Sequence, residues 1–361
     1  MPRRSLRSLL PLVRAALVAL LALASGTLEC GGARQTAQEH RGERLFGLMC
    51  SVCHGPTGQG YAADQAPSLT HGDFLAAVED AYLRVAILEG RGGTTMSAWS
   101  SFRSGPLSAD DASAIVAYLR SYGERPPMKL DARPPVAGDA GRGAEVFTRE
   151  CAACHGAHGT EGPFVGIGGF DLLRAASDGF LRQAIRDGRP GTAMPSFARR
   201  LADGEVDDVL ALLRSWQKSA PAVRKPPAKL PPLPLGPLPI HPQGPEPKGF
   251  TVTPQSTKVE IVKAQLDAGA RMALLDARAP SDYIGEHIAG AVSVPFYDPD
   301  PYFAQLPKDA WLVCYCSCPS AESGQLAQKL LKAGFTKVTV LEEGLRVWKA
   351  KKYPTNSGFE P

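Results

Sequence analysis

Two short runs in this chain of 361 residues set thiols and an imidazole where they can act together: Cys50, Cys53 and His54 in CSVCH, and Cys151, Cys154 and His155 in CAACH. Thiols at this spacing lie about one helical turn apart, so each can form a thioether with a vinyl edge of a haem, and the adjacent imidazole then stands under the iron. A dithiol redox pair needs no such His, and a tetrahedral zinc site needs four ligands that no nearby sequence supplies. Two covalently bound haem c groups are therefore expected. A third cluster, Cys314, Cys316 and Cys318 in VCYCSCPSAES, has a shorter spacing and no following His, so it is not a third attachment site.

Both haem motifs belong to one unit written twice, at residues 39–122 and 140–216. GERLFGLMCSVCHG, YLRVAILEGRGGTTMSAW and IVAYLRSY in the first copy answer GAEVFTRECAACHG, FLRQAIRDGRPGTAMPSF and VLALLRSW in the second. Met96 in GRGGTTM and Met194 in GRPGTAM take the same place in a Gly-rich loop of each copy. A lone methionine usually fills core space; two at matching positions are expected to be the sixth ligands of the two irons. His/Met ligation raises the iron potential and closes the iron to added ligands, which suits one-electron transfer. His40, His71 and His158 compete for the role, but none recurs in the other copy, and they read as solvent-exposed polar residues.

This pattern resembles the class I cytochromes c across both repeats. The resemblance implies all-α domains in which Gly42 with Phe46, and Gly143 with Phe147, on the first helix meet Leu119 with Tyr122, and Leu213 with Trp216, on the last. Glycine lets two such helices approach closely where they cross. It also implies redox partner proteins, one giving electrons and one taking them.

After the second repeat come 11 prolines between Pro221 and Pro247, a spacer that extended polyproline would stretch to roughly 80 Å. Beyond it, short apolar strands at 272–277, 291–295, 311–316 and 337–341 alternate with helices at 256–268, 322–333 and 345–351, the mark of a covered parallel sheet. Reactive groups in such sheets gather at the carboxyl ends of strands, where Cys316 falls. LLDAR at 274–278, GEHIAGAVSVP at 285–295, LVCYC at 312–316 and GFTKVTVLEEGLRVW at 334–348 resemble the rhodanese-like domain. The resemblance implies that Cys316 accepts a sulfane sulfur as a persulfide, wrapped by the amides of the next loop. Active sulfurtransferases there usually read CxxGxR; here the loop is CSCPSAESG, a CxCP variant with Pro319 in place of glycine, no arginine and an acidic Glu322. An anionic donor such as thiosulfate finds little to neutralise it. Cys314 reads as a core residue, and His287 as part of a structural turn. Cys318 is a candidate resolving thiol, able to close a strained, easily reduced ring with Cys316.

The first 24 residues carry Arg3, Arg4, Arg7 and Arg14 ahead of an apolar run ending Ala22-Leu23-Ala24, which reads as a secretory signal and places the mature chain in the periplasm. Those four arginines account for all of the formal charge of +4, so no basic excess is left for nucleic acid. Membrane association stays open through lipidation of Cys30 in TLECGG or retention of the N-terminal segment. The expected organisation is a signal peptide at 1–24, cytochrome c domains at 36–124 and 136–218, a proline-rich linker at 219–250 and an α/β rhodanese-like domain at 251–356. The expected function is one-electron transfer with a link to sulfur or thiol chemistry. Alternatives are a sulfurtransferase or sulfur-compound oxidoreductase that uses a Cys316 persulfide with the haems as electron outlet, a dihaem peroxidase with one exchangeable sixth site, and a rhodanese-like domain that only docks.

Overall fold

Polar side chains start several helices of the repeats. In the computed structural model, which describes residues 35–92, 94–131, 138–160, 162–218, 236–317 and 320–361, the first repeat forms α1 (Ala37–Met49), α2 (Ser51–His54), α3 (Gly72–Ala77), α4 (Asp80–Glu89) and α5 (Ala109–Arg120). Ser108 caps α5 by accepting from the Asp111 amide, while the Asp111 carboxylate reaches back to the Ser108 amide. The second repeat forms α6 (Ala140–Glu150), α7 (Ala152–His155), α8 (Phe170–Ala175), α9 (Asp178–Asp187) and α10 (Asp203–Lys218), with Asp139 and Ser177 capping α6 and α9. The expected signal segment, Cys30, Cys318, Pro319 and residues 219–235 lie outside the described residues.

Glycine does set the terminal helix crossings. A Cβ on Gly42 would stand 2.0 Å from the Ala114 carbonyl oxygen, and one on Gly143 2.1 Å from that of Asp208. Their neighbours lie a turn earlier than the sequence suggested. Phe46 stacks obliquely on Tyr118, which in turn meets Tyr122, whereas Phe147 meets Trp216 directly at 5.1 Å.

Matching surfaces join the two repeats. Tyr82 of α4 lies 5.2 Å from Phe180 of α9, its counterpart in the second copy. The Arg91 guanidinium covers the Tyr82 ring and that of Arg189 the Phe180 ring. Asp171 accepts from the Gly92 amide, and His71 Nε2 donates to the Pro190 carbonyl at 2.7 Å. His71 is thus half-buried between the repeats rather than a solvent-exposed residue, while His40 and His158 are exposed.

The C-terminal part contains β1 (Ser256–Thr257), α11 (Val259–Asp267), β2 (Met272–Asp276), α12 (Pro280–Gly285), β3 (His287–Ile288), β4 (Ala291–Ser293), β5 (Trp311–Tyr315), α13 (Ala321–Lys332), β6 (Val338–Leu341), α14 (Gly344–Ala350) and β7 (Thr355–Asn356). Five parallel strands run in the order β1-β6-β5-β2-β4, and β3 pairs with β7 antiparallel. Alternation sorts the strand residues: Leu312 and Cys314 face the side covered by α13, Val313 and Tyr315 the side covered by α11 and α14. Residues 256–257, expected to open a helix, form a strand because the Thr257 hydroxyl pairs with that of Thr339 across the sheet, and α11 starts only at Val259.

The described end of the expected spacer is not free. Glu246 bonds Arg271, the Trp311 indole N–H and Lys337, Phe250 packs on Trp311, and Leu238 and Ile240 lie against the core.

Candidate haem sites and the Cys316 loop

In both repeats the attachment motif folds the same way. The His54 and Cys53 amides donate to the Cys50 carbonyl at 3.0 and 3.2 Å, and those of His155 and Cys154 to the Cys151 carbonyl at 3.0 and 3.1 Å. Gly55 and Gly156 follow at φ +79 and +80, the left-handed turn that brings the chain back over the histidine. His54 Nδ1 donates to the Pro67 carbonyl and His155 Nδ1 to the Val165 carbonyl, each at 2.9 Å. Burial holds both imidazoles below their ordinary pKa, partly offset by these bonds, so each is neutral with its proton on Nδ1. That leaves the Nε2 lone pair of each ring for a metal.

None of Cys50, Cys53, Cys151 and Cys154 is in a disulfide, and burial pushes the Cys50 thiol up to about 12 and that of Cys151 to about 11. Four unoxidised thiols beside two imidazoles of fixed tautomer fit a thioether-linked haem in each repeat.

The methionine loops repeat as closely. Thr94 Oγ1 and Thr192 Oγ1 each accept from the following methionine amide at 3.1 Å and donate to the Arg91 or Arg189 carbonyl at 2.7 Å. The Arg91 and Arg189 amides close each loop on the Met96 and Met194 carbonyls at 2.9 Å. Met96, Met194, Cys50 and Cys151 are half-buried and pack on the hydrophobic core.

Cys316 follows directly on β5, fully buried, its Sγ 3.4 Å from Ser323 Oγ of α13. Cys314 is buried on the same side of the sheet and its thiol is pushed well above its ordinary value by burial, an inert core residue as expected. The loop's missing arginine is answered from elsewhere: Arg278 Nη1 donates to Ser317 Oγ at 3.3 Å. Its guanidinium is buried and paired with Asp276, which also accepts from the Tyr315 hydroxyl, so it brings direction more than free charge to the loop. His287 is buried with both ring nitrogens bonded to carbonyls of Tyr283 and Glu360, which makes it structural. Among the described residues no group of three or more His, Cys, Asp or Glu could hold a metal ion.

Residues outside the motifs bring the Cys316 domain onto the first repeat. Ser97 Oγ donates to Asp282 Oδ2 at 2.5 Å and Ser281 Oγ to the Ala98 carbonyl at 2.9 Å. The Trp99 indole meets Tyr297 and Phe296 at 5.5 and 6.5 Å, and α13 packs against α2, the helix of the first attachment motif. Reading for motifs missed all of these. The signal was present in the repeat itself, where Trp99 and Val52 replace Phe197 and Ala153 of the other copy.

The chain thus combines haem-binding all-α units with an α/β module ending in a buried thiol. Residues 37–119 and 138–213 match the family described as cytochrome C oxidase, cbb3-type, subunit III, and residues 258–351 match the rhodanese-like domain. The protein carries two cytochrome c domains followed by a rhodanese-like domain, and domains of the first kind carry covalently bound haem c. The cbb3-type cytochrome c oxidase subunit FixP of Bradyrhizobium diazoefficiens is 28% identical over 183 residues, 48% of this chain and 60% of that protein. A probable adenylyltransferase/sulfurtransferase, MoeZ, of Mycobacterium tuberculosis is 31% identical over 109 residues, 30% of this chain and 26% of that protein. The chain therefore spans less than two thirds of either relative. The rhodanese-like domain of the Anabaena Alr3790 protein, 31% identical, covers 29% of this chain and 80% of its own length with a TM-score of 0.27.

Proposed function

We propose that this protein is an exported, periplasmic electron carrier with two haem c groups, one held by Cys50, Cys53, His54 and Met96 and the other by Cys151, Cys154, His155 and Met194. Its rhodanese-like domain adds a sulfur-handling thiol at Cys316. The observation that carries the reading is the double role of α13: it contacts Cys316 through Ser323 and packs against the first attachment helix, so thiol and haem domain share one element. When bound, haem c would supply one-electron oxidation and reduction. The chain's own residues prepare that chemistry. Pro67 and Val165 orient the imidazoles, and Thr94 and Thr192 fix the methionine loops. Redox proteins are the partners that such domains imply.

At the third domain, the Cys316 thiolate attacks the outer sulfur of a persulfide or polysulfide. The donor S–S bond breaks, the donor leaves as a thiolate, and Cys316 retains the sulfane sulfur. One thiolate and one persulfide anion enter and one of each leaves, so no electrons are required. The Ser323 hydroxyl is placed to hydrogen-bond the sulfur anion. The test is mass spectrometry after exposure to inorganic polysulfide under argon, together with a pyridine haemochrome assay. Two haems per chain and a persulfide confined to Cys316 are expected. A Cys316 that takes up neither sulfur nor iodoacetamide would favour a docking-only module, the reading that full burial of this thiol supports.

A further inference from the structure

The two cytochrome domains differ in what covers one equivalent face. In the first, Ser97, Trp99 and Ser100 are buried and Ala98 and Val52 half-buried; in the second, Pro195, Ser196, Ala198 and Ala153 at the matching places are exposed, and only Phe197, the counterpart of Trp99, is buried. The backbone does not cause this. The Trp99 and Ser100 amides donate to the Ile87 and Leu88 carbonyls at 3.2 and 3.1 Å, and the Phe197 and Ala198 amides to those of Ile185 and Arg186 at 3.3 and 3.0 Å. Phe197 has the Arg200 guanidinium over its ring, where Trp99 has Phe296 and Tyr297. The cover on the first domain is built rather than incidental, since Ser97 reaches the half-buried Asp282 and Ser281 reaches the Ala98 carbonyl.

We infer that the rhodanese-like domain is a resident partner of the first cytochrome domain, closing its face beside Cys53 and Met96 to other proteins. The same face of the second domain is left open as the port for an outside redox protein. The first domain then serves the Cys316 site and the second serves the exterior. This rests on the two-haem reading above, and it goes further by giving the two domains unequal access.

Hydrogen–deuterium exchange tests the cover without reference to activity, because the matched amide bonds make each domain the control for the other. In the full haem-loaded chain, amides 98–100 are expected to exchange about tenfold more slowly than amides 196–198. Trp99→Ala, and separately Asp282→Ala, should each abolish that difference while leaving 196–198 unchanged. Equal exchange in the native chain, or a difference that survives both substitutions, overturns the inference. Stopped-flow reduction of the ferric protein by hexaammineruthenium(II), a small probe that needs no recognition site, should give a fast and a slow phase of similar amplitude. Asp282→Ala should accelerate only the slow phase several-fold, and a single phase in the native chain counts against the closure. A haem content other than two per chain would instead refute the functional reading, leaving the exchange result to decide on the cover.

Discussion

The hydroxyls of Thr94 and Thr192 do the same work twice, each tying a methionine amide to an arginine carbonyl within one tight loop. Replacing one of them with valine removes two bonds worth about 1 kcal/mol each and frees the methionine. Thr94→Val or Thr192→Val should weaken the ferric methionine-to-iron charge-transfer band by one haem's share. At the other end of the chain, Ser323→Ala should lower the rate of sulfur uptake at Cys316 without unfolding the domain, whereas Cys316→Ser abolishes it; persulfide yields by mass spectrometry check both. Such residues are legible in sequence when their chemistry is local, as in CxxCH, or when a repeat marks them, as with Met96 and Met194. Ser97 and Asp282 are 185 residues apart, and no local pattern announces a serine that will meet a distant carboxylate.

At the scale of elements, helix crossings depend on which glycine is contacted. Gly42→Ala and Gly143→Ala should each cost about 1–3 kcal/mol by overpacking against a backbone carbonyl, measured by chemical denaturation. Gly47 on the same first helix has nothing within 4 Å of an added Cβ, so Gly47→Ala should be neutral or stabilise by about 0.5–1 kcal/mol. The strands of the third domain were readable as apolar runs of the right length because parallel strands are buried on both faces. The short edge strand Ser256–Thr257 was not, since two residues carry no periodicity and its reason for being extended is a threonine pair across the sheet.

Across the whole molecule, Glu246 is the charged anchor of the spacer's docked end. Its carboxylate joins the residues just before β2 and β6 and the first residue of β5, and its bonds to Lys337 and then Arg271 hold its pKa down at about 2. A carboxyl depressed on folding stabilises the native state above its ordinary value near 4.5 and loses that effect as pH falls through about 2. Acid titration between those limits should loosen the Glu246 contacts, visible as a change at the Trp311 indole, and Glu246→Gln should remove that step. Proline content suggested a proline-rich linker over the whole of 219–250, because composition reports backbone stiffness and says nothing of the carboxylate and apolar side chains that dock its end. No helix among the described residues is long and apolar enough to cross a membrane.

The contact between the cytochrome domains joins corresponding positions, Tyr82 to Phe180, with Arg91 and Arg189 each stacked on its own copy's ring. A surface that meets its own duplicate is self-complementary, the geometry of a twofold dimer. The tandem chain therefore reproduces inside one polypeptide the pairing that a twofold dimer makes between two, so electrons could pass between its halves without any encounter between separate molecules.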